Sequence, residues 1–343
     1  MKGPLFLFVC FVSISISLSA QKPNTSKLDK VLEKLEQRNQ LMGSLAFSKQ
    51  GISTYAKAFG YSDIGSNAQA DTLTQYRIGS VSKMLTSTMV LQLVSEGKLQ
   101  LSDSIAQFFP DWPNANTITI EHILRHESGI FNFGTSSKPI TASPQSREEI
   151  IAVFEQAPVA FAPGTQVDYN NANYVVLSLI IEEIDQRSFA ESLQDRILTP
   201  LSLNRTHAGG PIQTGCNEAH SYFWKNQWIK NRDNYHPSLL GAGALVSTPK
   251  ELNVFLHALF TQKLLPAAQL KRMMTLKENM GMGLFAFPFY GKTAYGHSGN
   301  IDAFESFAVY FPANQVSFSL CLNGNRKEVN EVLIACLRAY FGK

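Results

Sequence analysis

The chain has 343 residues, 44% of them hydrophobic, with 30 basic and 27 acidic side chains and a formal net charge of +3. That is enough apolar material for a full core in one large domain or two lobes. There is no basic run or stripe, so the charge pattern speaks against a nucleic-acid partner. Beyond the first 20 residues, no apolar stretch is long enough to cross a membrane.

Residues 1–20 have the form of a secretory leader. Lys2 supplies the positive end, residues 5–12 the apolar stretch, and Leu18-Ser19-Ala20 a small-residue cleavage site. The apolar run is too short to span a bilayer, and Ser13, Ser15, Ser17 and Ser19 interrupt the residues after it. Cys10 lacks the preceding small residue of a lipid-attachment signal. The expectation is cleavage after Ala20, a secreted or periplasmic product, and no stable membrane insertion afterwards. Three cysteines then remain, Cys216, Cys321 and Cys336, an odd number that excludes a fully paired framework. Cys321 and Cys336 are expected as buried free thiols, although they could pair.

Residues 26–40 place Leu28, Val31, Leu32 and Leu35 at helical spacing. Strand-like runs follow at 44–48 and 53–60, separated by Gln50-Gly51, and again at 73–78. Residues 80–196 read as mostly helical, broken by proline-bearing loops at 110–113, 139–144, 158–164 and 200. Residues 219–231 are aromatic-rich and suggest a hairpin around Lys225-Asn226-Gln227. A helix is expected at 251–260, with Thr248 as its N-cap, then strands at 285–290, 292–296, 304–311 and 316–322, and a last helix at 328–340. Strands at both ends with helices between predict an α+β fold. One antiparallel sheet is built from both termini and flanked by the terminal helices. A mostly helical lobe, residues 80–240, is inserted between sheet segments at 21–79 and 241–343. Ligand sites favour such lobe boundaries.

Gly79-Ser80-Val81-Ser82-Lys83 lies at that boundary, where a strand-like run becomes a long apolar helix. Residues i and i+3 of a helix are neighbours, so Lys83 can reach Ser80 and act as the base a serine nucleophile needs. S-x-x-K is expected roughly once by chance in such a chain. It occurs four times here, at Ser19, Ser80, Ser95 and Ser247. Ser19 belongs to the leader, Ser95 precedes a helix C-terminus at Glu96-Gly97, and Ser247 precedes the Thr248 cap. Ser80 alone opens a long apolar helix; its bland reading is an N-cap. Two further motifs fall at expected lobe boundaries. Tyr169-Asn170-Asn171 offers a proton-shuttling phenol, its pKa depressed if lysines lie near, and an amide for a substrate carbonyl. The plainer alternative is a loop tyrosine beside a helix-capping asparagine. Gly296-His297-Ser298-Gly299-Asn300 places glycines on a strand, as where another backbone approaches closely, or marks a bulge or turn.

In that order, S-x-x-K, Y-x-N and H-S-G resemble the penicillin-recognising serine hydrolases, in particular the family of class C β-lactamases and serine D-Ala-D-Ala carboxypeptidases. The resemblance covers residues 40–340. It includes Tyr76-Arg77-Ile78-Gly79 before the nucleophile, Glu96-Gly97-Lys98-Leu99 after its helix, His126-Glu127-Ser128-Gly129-Ile130, and Gly241-Ala242-Gly243-Ala244. It implies the β-lactamase/transpeptidase-like fold and catalysis through an acyl-enzyme without metal or cofactor. In that frame Ser80 is the nucleophile, Lys83 its first proton acceptor and Tyr169 the relay to the leaving group. Asn171 holds the substrate amide, and His297, Ser298, Gly299 and Asn300 form the substrate-binding strand. The Ser80 and Asn300 N–H groups make the oxyanion hole.

His297 stands where many relatives carry lysine, which favours D-amino-acid peptides or small esters and amides over β-lactams. Two alternatives stay open, a class C-type β-lactamase and a penicillin-binding sensor that acylates without turnover. The partner is then a small-molecule or peptide substrate, and the expected protein is a monomer. An α/β-hydrolase elbow and a zinc-protease motif are absent; His122 and His126 are better read as structural. Tyr222, Phe223, Trp224 and Trp228, with Phe131 and Phe133, are candidates for an aromatic lip or for simple packing.

Overall fold

A computed structural model describes residues 25–132, 146–233 and 237–343. The expected leader, the proline-bearing loop at 139–144 and Phe133 lie outside these residues. The first part of the chain forms α1 (Ser26–Gln37), β1 (Leu41–Lys49), β2 (Ile52–Phe59), β3 (Tyr61–Asp63), β4 (Ala68–Gln69) and β5 (Tyr76–Arg77). The helical stretch contributes α2 (Ser82–Ser95), α3 (Ile120–Leu124), α4 (Arg147–Glu155), α5 (Asn171–Asp185), α6 (Phe189–Leu193) and α7 (Thr199–Leu201). Then come β6 (His207–Ala208), β7 (Tyr222–Trp224), β8 (Trp228–Lys230), α8 (Leu240–Gly243), β9 (Leu245–Ser247), α9 (Pro249–Phe260) and α10 (Ala267–Met274). The chain closes with β10 (Phe285–Phe289), β11 (Lys292–Ile301), β12 (Phe304–Phe311), β13 (Val316–Asn325) and α11 (Val329–Phe341).

The main sheet runs β10-β11-β12-β13-β1-β2, antiparallel throughout, and joins the two ends of the chain as expected. β1 and β13 are buried along nearly their whole length because both sheet faces are covered. On one face, α1 and α11 bring Leu28, Leu32 and Leu337 onto Phe47, Phe311 and Phe318. On the other, Leu256 and Leu259 of α9 belong to the same core as Ala308, Tyr310 and Cys321. Cys321 and Cys336 therefore sit on opposite faces of the sheet, each a buried free thiol, while Cys216 is free and exposed.

Three expectations change. The strand at 73–78 shrinks to Tyr76–Arg77, because Asp71 and Thr74 close a turn: the Leu73 N–H donates to Asp71 Oδ1 at 2.7 Å and the Asp71 N–H to Thr74 Oγ1 at 2.9 Å. The 80–196 stretch holds helices separated by long loops, Asn114 adopting a left-handed φ of 59° in one of them. The β7–β8 hairpin turns at Lys225-Asn226-Gln227 as expected, but it joins the main sheet through a parallel bridge from Tyr222 to Gly324. The sheet thus draws a strand from the 80–240 segment. The other terminal elements form where expected, except that β11 continues past the expected end at 296, through His297 to Ile301 in unbroken register.

Candidate active site

Ser80 is not on a regular helix. It occupies a 3₁₀ turn, Gly79–Val81, between β5 and the start of α2. Gly79 has φ +49°, and a Cβ there would lie 2.9 Å from the Asn300 nitrogen, so both conformation and contact require glycine. A Cβ on Gly299 would come within 2.1 Å of the Ile78 oxygen and 3.0 Å of the Ser80 nitrogen. The Ser80 turn and β11 therefore meet backbone to backbone. The Ser306 hydroxyl donates to Ile78 O at 2.6 Å, and buried Arg77 pairs with Asp302 at 3.0 Å and Asp233 at 2.7 Å, fixing the β11–β12 end against the turn.

α2 is buried on nearly all sides, and Lys83 is fully buried. Its Nζ lies 2.9 Å from Ser80 Oγ, 2.7 Å from Asn171 Oδ1 and 2.6 Å from the Ala242 carbonyl. Two of these partners can only accept; the third is a hydroxyl that can also donate. A neutral amine spends two N–H groups on Asn171 and Ala242 and turns its lone pair to the Ser80 proton. Burial disfavours the ammonium and pushes the Lys83 pKa well below its ordinary value.

Tyr169 ends the loop before α5. Its ring stacks obliquely on His126, 4.6 Å between centroids, and lies 5.0 Å from Lys83 Nζ. Burial pushes its hydroxyl up to about 12, against the opposing hydrogen bond with Ser80, so the expected lysine-depressed phenol is not found. Asn170 caps α5, its Oδ1 accepting from the Ala172 N–H at 2.9 Å, while its Nδ2 donates to Ile130 O at 2.7 Å. The capping alternative is thus realised by Asn170, leaving Asn171 for Lys83. His126 is buried behind the motif and accepts from the Asn170 N–H at 3.1 Å. Its positioning part was visible in the sequence only through the resemblance of the 126–130 segment.

His297 is buried against the edge of Phe285, 4.9 Å between ring centroids. Its Nδ1–H donates to the Ser298 carbonyl at 2.5 Å. Burial, then the Lys83 charge, lower its pKa to about 3 despite that bond. The imidazole is neutral, with its Nε2 lone pair lacking a hydrogen-bond partner among the described residues. Ser80, Tyr169, Asn171, His297, Ser298, Gly299 and Asn300 line one cleft of about 630 Å³. Lys83 lies directly beneath it. Phe285, Phe287, Phe307 and Glu305 also line it and were not singled out in the sequence; the alternating phenylalanines of β10 were the available signal.

The other candidates fall away from the cleft. Ser95 Oγ donates to Leu91 O at 2.8 Å, and buried Ser247 bonds Thr206 at 2.8 Å while Lys250 reaches Thr72. His122 caps α3, its Nδ1 accepting from the Thr119 N–H at 3.3 Å. Three of the β7–β8 aromatics find partners outside the cleft: Tyr222 Oη donates to Asp63 Oδ1 at 2.9 Å, Trp228 Nε1 to Asn39 Oδ1 at 2.8 Å, and Arg326 lies 3.7 Å over Trp224, while Phe223 is exposed. Phe131 packs against the core beside Trp112 and Phe154.

This fold matches known proteins. The family model described as Beta-lactamase matches residues 28–339, so the chain belongs to that family. It has the β-lactamase/transpeptidase-like fold. It is 30% identical over 251 residues to the protein of Bacillus subtilis (strain 168) named "Putative penicillin-binding protein PbpX", covering 72% of this chain and 62% of that one. Against Protein flp of Staphylococcus aureus (strain MW2) it is 30% identical over 186 residues, 52% of this chain and 37% of the relative. The chain thus spans about a third to two thirds of the length of these relatives. Among solved structures, D-amino acid amidase from Ochrobactrum anthropi SV3 in complex with D-phenylalanine superposes with a TM-score of 0.81 at 25% identity, covering 92% and 98% of the two chains. The octameric penicillin-binding protein homologue from Pyrococcus abyssi gives 0.77 at 25% identity, covering 92% and 77%.

Proposed function

We propose that the protein hydrolyses D-amino-acid amides, peptides or small esters through an acyl-enzyme on Ser80. The observation that carries this reading is the placement of Lys83, which leaves Ser80 as its one partner able to donate a proton. In this mechanism Ser80 Oγ attacks the substrate carbonyl as its proton moves to Lys83 Nζ. The Ser80 and Asn300 N–H groups hold the developing oxyanion. Tyr169, a protonated phenol, gives its proton to the leaving amine or alkoxide and recovers one from Lys83. Water then attacks the acyl carbonyl, loses a proton to the same pair, and releases Ser80. Asn171 keeps its Nδ2 for the substrate because Oδ1 is committed to Lys83.

The D-amino-acid class is supported by likeness to the amidase and to penicillin-binding relatives. The neutral His297 supports amides and esters over substrates anchored by a carboxylate. Secretion as residues 21–343 and a monomeric state are part of the same proposal. The test is a hydrolysis panel of D-aminoacyl amides, D-Ala-D-Ala peptides, short p-nitrophenyl esters and nitrocefin, with mass spectrometry of a fluorophosphonate adduct. Turnover of D-aminoacyl substrates with the adduct on Ser80 is expected. Fast nitrocefin turnover alone would replace this reading with a β-lactamase, and a permanent penicillin adduct with a sensor.

A further inference from the structure

The cleft extends past the nucleophile. β10 pairs with β11 only as far as Gly296, so from His297 to Ile301 the ladder bonds of β11 go to β12. The cleft passes this stretch to the side where α11 begins. There its wall is Phe287 and Phe307, edge to face at 5.0 Å, with Val329 and Leu333 of α11. Glu305 lines the same stretch, on the face of β12 that it shares with Phe307. It is paired with Asn300 across the ladder and is next to Ser306, whose hydroxyl is bonded to Ile78.

Glu305 is the one carboxylate lining the cleft among the described residues, and neither lysine nor arginine lines it there. It is half-buried and, among the described residues, accepts one hydrogen bond, from Asn325 Nδ2 at 3.3 Å. Burial raises its pKa, and the charge of Glu328 adds to the rise against that bond. A carboxylate that has lost water without gaining a cation is relieved by a ligand's ammonium. The other polar end of the cleft offers no opposing charge, since His297 is neutral with an unpartnered, buried Nε2.

We propose that Glu305 selects substrates by charge, pairing with a protonated amine on the substrate while Phe287, Phe307 and Leu333 receive an apolar group beside it. The preferred class is then an amine-bearing apolar D-amino-acid amide or ester, and a substrate ending in a free carboxylate is disfavoured. This rests on the acyl-enzyme reading of Ser80.

The test compares kcat/KM for an aromatic D-amino-acid p-nitroanilide with a free amine against its N-acetylated and N-succinylated forms. A second pair carries the amine, free or acetylated, on the leaving group. In at least one pair the amine should be preferred by roughly tenfold, with the succinylated form slowest and the preference shrinking in added salt. Glu305→Gln should bring the amine-to-acetyl ratio towards one. Asn330→Lys, at an exposed lining position on the first turn of α11, should lower the same ratio without disturbing the sheet. Equal rates for amine and acetylated forms in both pairs, or a ratio unchanged in both variants, would overturn the assignment. Fluorophosphonate labelling in parallel separates the two claims. Labelling of Ser80 without charge discrimination removes the role of Glu305 alone, whereas no labelling removes the acyl-enzyme reading beneath it.

Discussion

Lys83, beneath the cleft, and His297, in its lining, are both buried basic groups, and their surroundings differ. Three oxygens surround the Lys83 amine, whereas the His297 ring has one carbonyl at Nδ1 and an open Nε2 among the described residues. Burial disfavours the charged form of both. At Lys83 the surrounding acceptors convert lost charge into a directed lone pair, which is what a base needs. At His297 nothing among the described residues uses the freed nitrogen, so the neutral ring supplies no cation to that end of the cleft. The lesson is that burial sets the protonation state, while the partners left behind set what that state can do.

The sharpest way to break this comparison is to remove the group that Lys83 serves. Ser80→Ala should reduce turnover by about 10⁴–10⁶ and abolish covalent labelling, while Ser95→Ala stays within a few-fold because its hydroxyl bonds only its own helix. Near-native turnover by Ser80→Ala would end the assignment.

Replacing the amine tests whether Lys83 is a base or an anchor. Lys83→Arg should be nearly as damaging as Lys83→Ala, each losing about 10²–10⁴ in kcat, since a guanidinium stays charged. In the native protein the rate should fall as pH drops through the lowered Lys83 pKa, because protonation consumes the lone pair. An active arginine variant would make Lys83 an electrostatic anchor only.

Tyr169→Phe keeps the ring on His126 and removes the proton donor. A loss of about 10²–10³ in kcat with little change in melting temperature is expected. A lower melting temperature with unchanged kcat would assign Tyr169 to packing.

The smallest effect sharpens the histidine side. The folded-state pKa values of His126 and His297 lie below the unfolded value, so the unfolded chain binds more protons as pH falls. Their stabilising contribution is present above the unfolded pKa of about 6.5. For His297 it is lost as pH falls towards about 3. Denaturant titrations should show stability declining over that window, and His297→Gln should flatten the decline. An unchanged slope in that variant would mean the ring gains protons in the folded state.

Much of this was legible in the chain because it depends on local chemistry. The periodicity of α1, the Thr248 cap, the alternation of the C-terminal strands and the i, i+3 spacing of Ser80 and Lys83 are settled by neighbours in sequence. So is the order of the three motifs, which carried the family resemblance. The rest required distant parts of the chain to meet. Lys83 takes its acceptors from residues 88 and 159 positions away, and nothing near it in sequence foretells two oxygens there. The Tyr169 phenol rises rather than falls because burial outweighs its hydrogen bond with Ser80, and burial belongs to the packed molecule. The β7–β8 aromatics were legible as a hairpin but not as part of the sheet, since strand pairing is set by what lies opposite. Phe287, Phe307 and Glu305 became a cleft wall only when two strands and the start of α11 were brought together. The sequence by itself determined which groups could react; the tertiary structure decided their protonation, their partners and the wall a substrate meets, because desolvation and hydrogen-bond saturation depend on atoms far along the chain.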